Sequence, residues 1–151
     1  MVKFKIFVEF LTVFITGAVL YSLCEIAWRG YTHWTMTVTG GICLICIYIL
    51  SNRYPNLALW VQCFAGCLTI TAIEFIIGYI VNIKLRWNVW DYTDIPFNIM
   101  GQVCGFYMAV WYILSIPAVI ICRIIKTKIF KRDIERGIEF NGETKEELHQ
   151  Q

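Results

Sequence analysis

Glu74 sits inside a run of hydrocarbon-loving residues, Ile70-Thr71-Ala72-Ile73-Glu74-Phe75-Ile76-Ile77, where an acid is chemically out of place. At membrane depth such a group costs of the order of several kcal/mol unless it is protonated or paired, so it is expected to face a bundle interior. Two roles are open to it: a ligand for a proton, cation or substrate, or a hydrogen bond that fixes helix packing. Glu25 and Arg29 stand four residues apart, share a helix face and are expected to pair. Glu-x-x-x-Arg also occurs in intramembrane proteases, but these need a second acid and several histidines, and His33 and His149 are the only histidines here. No catalytic set and no metal set is assigned. Asp91 and Asn98, together with His33, complete the polar groups expected to bind a substrate or ion; Asp91 could answer Arg29 or Arg86, or line a mouth.

The elements that must position these residues are membrane spans. The chain has 151 residues, 58% of them hydrophobic and 16% charged, against about 25% charged in soluble domains. Six of its eleven acids fall in the last nineteen positions, leaving the first 125 residues more apolar still. A soluble domain of this size lacks the interior to hide them. With about 20 apolar residues needed per crossing, four spans are expected, at about 10–28, 35–51, 57–83 and 97–125, the last kinked at Pro117. The fold expected is an all-α integral membrane protein, a four-helix transmembrane bundle over 1–125. Residues 126–151 then form a cytoplasmic basic anchor and charged tail.

Basic residues set the orientation. Lys3, Lys5, Arg53, Arg123, Lys126, Lys128, Lys131, Arg132 and Arg136 fall on one side and Arg29, Lys84 and Arg86 on the other, which predicts N- and C-termini in the cytoplasm of a cell membrane. The turn 29–34 and the longer loop 84–96 then share the outer side with most of the unusual chemistry. Trp34, Trp87, Trp90 and Tyr92 are expected in the interfacial belt. Asn98, Gln102, Tyr107 and Ser115 would place polar groups along the fourth span. Gly40, Gly41, Gly101 and Gly105 are expected to let helices approach, the last two as a Gly-x-x-x-Gly pair.

The seven cysteines lie in or beside apolar runs and read as small hydrophobes packed between helices. Cys43-Leu-Ile-Cys46 has redox or zinc spacing, but no second cysteine pair or nearby histidine accompanies it. Basic residues form no stripe of the kind nucleic acid selects, and no cofactor is implied. An internal echo of Glu25-Ile26, Gly30-Tyr31 and Trp34 in Glu74-Phe75, Gly78-Tyr79 and Trp90 suggests two pseudo-symmetric helical hairpins, although the spacings differ.

Three segments carry a family resemblance: Glu25 to Met36, Glu74 to Gly78 and Trp90 to Cys104, the last reading Trp-Asp-Tyr-Thr-Asp-Ile-Pro-Phe-Asn-Ile-Met-Gly-Gln-Val-Cys. They resemble bacterial multi-pass membrane proteins of the Putative ABC-transporter type IV family, over about Tyr21 to Phe130. The resemblance implies a permease-like role in transport. The chain has no Gly-x-x-x-x-Gly-Lys-Ser/Thr loop for phosphates, so any ATPase would be a separate chain. The expected function is a small transporter or channel subunit in the lipid bilayer with a polar outer-leaflet site, assembled as a homo-oligomer or with other membrane subunits. The alternatives are a non-catalytic scaffold or regulator with a cytoplasmic tail, and an interfacial lipid-modifying enzyme.

Overall fold

Lipid offers the backbone no hydrogen-bond partner, so a chain this apolar must satisfy its own amides within helices. The computed structural model describes residues 2–130 and contains four such helices. Helix α1 covers Val2–Arg29, α2 Trp34–Arg53, α3 Leu59–Gly78 and α4 Gly105–Ile124. Each of α3 and α4 runs on into a π-helical turn, Tyr79–Lys84 and Ile125–Ile129. All four are long and apolar enough to cross a membrane: Lys3–Arg29, Trp34–Arg53, Leu59–Lys84 and Gly105–Ile129. The 20 residues of α2 span about 30 Å, matching the hydrocarbon core, and the other three have length to spare for tilt. The charged tail expected at the C-terminus lies outside the described residues.

Two boundaries differ from those expected. Helix α1 begins well before Phe10 and so takes Glu9 into the bundle. Helix α4 begins at Gly105 rather than near 97, because Asn98–Ile99 (β1) and Val103–Cys104 (β2) pair as a two-stranded antiparallel turn. Gly101 sits between them with φ 69°, a backbone geometry glycine adopts at little cost. Asn98 and Gln102 therefore belong to the loop, not to the fourth span.

The helices form two antiparallel hairpins. Between α1 and α2 the backbones nearly touch: a Cβ on Gly17 would lie 2.6 Å from the Gly40 carbonyl oxygen, Gly40 abuts Tyr21, and Gly41 abuts Phe14. A hydrogen bond between Ser22 and Thr37 of 2.8 Å joins the same two helices. Small residues are what allow this, since lipid supplies no hydrophobic drive between helices and dispersion must come from close approach. Gly66 serves α3 and α4 likewise, facing Ser115. Gly101 and Gly105 form no such seam: Gly101 makes the turn, and nothing comes nearer to a Cβ on Gly105 than Phe97 at 3.8 Å. The hairpins also differ in their connections, a four-residue turn at 30–33 against a loop spanning 85–104.

Helix α2 also packs on α3 and α4. The core shared by all four helices holds Val13, Leu44, Ile47, Tyr48, Ile70, Val119 and Ile125, with Cys43, Cys63 and Cys122 as compact fillers. Cys46 is half-buried beside it, and the cysteines described carry free thiols. Outward faces remain apolar and exposed, among them Phe4, Phe7 and Ile15 of α1 and Ile113, Ile120 and Ile124 of α4, as a lipid-facing surface requires. Between α1 and α4 runs a cleft bridged by side chains rather than filled by packed backbones.

Gly40→Ala drives a Cβ into Tyr21 and is expected to destabilise the bundle by about 1–3 kcal/mol, as overpacking does. Gly105→Ala, whose Cβ would make only ordinary contact with Phe97 at 3.8 Å, should be neutral. Melting temperatures of the two variants in the same detergent check both.

Candidate functional site

Along α1, Tyr21, Glu25 and Arg29 stand four residues apart and so lie close together on one side of the helix. Along α4, Tyr107 and Trp111 do the same. These two groups face each other across the cleft, and Glu74 of α3 stands behind them, only 2% exposed. The Tyr21 hydroxyl donates to Glu74 Oε1 at 2.7 Å, and Trp111 Nε1 donates to Glu74 Oε2 at 2.7 Å. The two rings stack, centroids 5.7 Å apart and 23° from parallel. One carboxylate thus holds a phenol and an indole together across the gap between α1 and α4. Glu74 faces inward, and among the described residues no basic side chain pairs with it.

One helical turn nearer the looped end lies Glu25. Its Oε2 accepts from Thr32 at 2.7 Å, while its Oε1 is 3.5 Å from Arg29 Nη1. The Arg29 guanidinium is drawn off in other directions too: it donates to the Val89 carbonyl at 3.0 Å and lies 4.7 Å from the Tyr31 ring centre. Its Nε is buried without a hydrogen-bond partner. The contact with Val89 ties the turn after α1 to the loop before α4, so the two loops share one end of the bundle.

The cleft widens into two chambers. The one toward the loops, about 340 Å³, is walled by Glu25, Trp28, Arg29, Tyr92, Tyr107 and Trp111. The other, about 300 Å³, lies deeper among Gly17, Leu20, Leu44, Ile70, Pro117 and Ile121. Tyr21, Cys24, Trp111 and Leu114 line both, so the stacked pair stands at their junction. Leu20, Cys24, Trp28 and Pro117 at the rim are exposed, which opens the cleft sideways, toward acyl chains.

The loop over this end is held by its own polar network. Asn82 Nδ2 donates to Gln102 Oε1 at 2.8 Å, and Asn82 Oδ1 accepts from the Val89 amide at 2.7 Å. Trp90 Nε1 donates to the Gln102 carbonyl at 2.9 Å. Asn98 spans the turn, donating to the Thr93 and Ile95 carbonyls and accepting from the Gly101 amide. Asp91 Oδ1 accepts from the Thr93 amide at 2.9 Å. Four non-glycine residues, Arg86, Asn88, Phe97 and Met100, hold positive φ here, a conformation that persists where surroundings specify it.

The structure thus brings Glu25 to Arg29 and sets Glu74 one turn deeper. Asp91 and Asn98 are occupied in turns, and Arg29 answers Glu25 and Val89 rather than Asp91. His33 caps α2, its Nδ1 accepting from the Thr35 amide, and packs between Trp34 and Trp87. Trp34 and Trp87 are exposed as a belt would have them, whereas Trp90 is buried in the loop's core with Val89 and Met36.

Sequence reasoning passed over Tyr21, Trp28 and Trp111, though Tyr21 and Trp28 stand four and three residues from Glu25, and Trp111 four from Tyr107. It also passed over Glu9, which is buried and accepts from the Tyr48 hydroxyl, because the first span was started one residue after it. Gln62, wholly buried near the opposite end, donates to the Tyr54 and Leu57 carbonyls and closes the α2–α3 turn.

Four apolar spans around a buried carboxylate define a multi-pass membrane protein. The family model described as Putative ABC-transporter type IV matches residues 41–139, and the chain belongs to that family. The matched stretch includes Glu74, the loop and Trp111 but not α1, so Tyr21, Glu25 and Arg29 lie outside it. No curated protein and no solved structure matches the chain significantly.

Asn82→Leu would strand Val89 N–H and Gln102 Oε1, each unsatisfied group costing about 1–3 kcal/mol. The expected result is faster amide exchange across 85–104 with the spans unchanged, read by mass spectrometry. Tyr92 stacks on Tyr107 at 4.5 Å, and burial, then the Glu74 charge, push its hydroxyl above the ordinary value of 10.0. The folded state therefore holds that proton more tightly than the unfolded chain. Stability is full below pH 10.0 and falls as pH rises beyond it. Tyr92→Phe should flatten that alkaline decline in a pH series of melting curves.

Proposed function

We propose that the chain is a transport-class membrane subunit that takes an amphipathic ligand into the α1–α4 cleft and senses it through Glu74. One observation carries this reading: the buried carboxylate grips both aromatic rings that stand where the two chambers meet. A carboxylate needed only for helix packing could bond to backbone or to a single neighbour. This one is committed to the two side chains an entering molecule would displace. Membership of the family supports the transport class. The basic residues support an orientation with the looped end outside and the termini in the cytoplasm, which sets the polar chamber at outer-leaflet depth. Four helices enclose little volume, so the working unit is a homo-oligomer or an assembly with other membrane subunits. Any ATP-hydrolysing part is a separate chain.

Reconstitution tests it. In proteoliposomes under an imposed pH or cation gradient, Glu74→Gln keeps one acceptor oxygen and loses the charge, and is expected to change flux about tenfold or more. Equal flux for wild type and variant across the pH range would remove Glu74 from the mechanism.

A further inference from the structure

The walls of the chamber nearer the loops point to the charge of what enters it. Five aromatic side chains line it, Tyr21, Trp28, Tyr92, Tyr107 and Trp111, with Glu25 among them. Two contacts shape these rings into a box: Tyr92 stacks on Tyr107 at 4.5 Å, and Trp28 Nε1 donates to the Tyr107 hydroxyl at 3.2 Å. Aromatic faces are negative at their centres and attract cations, more strongly where water is excluded. Glu25 lines this chamber beside Arg29, and Glu74 stands behind the stacked pair of Tyr21 and Trp111. Both oxygens of Glu74 accept hydrogen bonds, and among the described residues no cation answers it. Arg29 gives Nη2 to Val89, leaves Nε without a hydrogen-bond partner, and shares its charge with Tyr31 as well as Glu25. Below the stacked pair the deeper chamber is apolar, walled by Leu20, Leu44, Ile47, Ile70 and Ile121.

We infer that the cleft takes a monovalent cation carried on an apolar body, its positive centre in the aromatic box beside Glu25 and its apolar part in the deeper chamber. A zwitterionic phospholipid fits less well. Its cation lies outermost, beyond the phosphate, whereas here the acid lies one turn deeper than the arginine. The inference rests on the reading of the cleft as a ligand path and adds the ligand's class to it.

Two ions of like shape and opposite charge test it. Tetraphenylphosphonium and tetraphenylborate are titrated into the full chain in nanodiscs of zwitterionic lipid, with protein-free discs subtracted and tryptophan quenching as readout. Saturable binding of the phosphonium, at least tenfold tighter than that of the borate, is expected. Glu25→Gln and Tyr107→Leu should each weaken it about tenfold or more, while Glu25→Asp and Tyr107→Phe, which keep charge and ring, should largely restore it. The restoring pair separates loss of the box from loss of the fold. Equal binding of the two ions, or phosphonium binding untouched by both damaging variants, overturns the inference. Glu74-dependent flux with tighter borate binding would sink the cation preference and leave the transport reading standing. Charge-selective binding with flux indifferent to Glu74 would do the reverse.

Discussion

A carboxylate inside a lipid-spanning bundle has no solvent to fall back on, and every requirement it makes must be met by neighbouring helices. Glu74 meets it with one donor from α1 and one from α4, helices that otherwise leave a cleft between them. The three-way contact therefore sets the spacing of the hairpins at that level, and the ring stack, the two chambers and the sideways opening depend on it.

The same economy governs the looped end. A long loop above a membrane domain would ordinarily be its least ordered part, yet Asn82, Gln102, Trp90 and Asn98 satisfy its amides and carbonyls one by one. Asp91 and Asn98, expected among the ligand-binding residues, hydrogen-bond within that loop. Asp91 and Asn98 shape the turns, which leaves the Glu25 carboxylate as the acid facing the chamber.

How much of this was legible in the sequence depended on the physics involved. Four crossings were readable because hydrocarbon thickness and apolar run length are the same quantity in different units. Glu74 was readable because the cost of a buried acid forces it inward. The start of α4 was not, because Phe97 to Cys104 is apolar enough to extend a span, and only the Gly101 turn and the Asn98 bonds hold it out. Tyr21 and Trp111 were missed because an aromatic residue in a span is unremarkable until a distant partner gives it a task. The glycines divide in the same way: Gly40 and Gly41 lie on the α1 seam, while the Gly-x-x-x-Gly spacing of Gly101 and Gly105 straddles a turn. Spacing alone cannot tell a seam from a bend.

Helix α1 leans on a single strong neighbour, through the contact of Gly17 with Gly40 about midway along its length. Side-chain-free backbones in van der Waals contact make a fulcrum: they resist separation but offer little to stop rolling. A few degrees of tilt about that point would part or close the two arms of the cleft in opposite senses, one chamber gaining breadth as the other narrows. Ile47 and Val119, which share one core with Val13 of α1, mark where that tilt would be resisted.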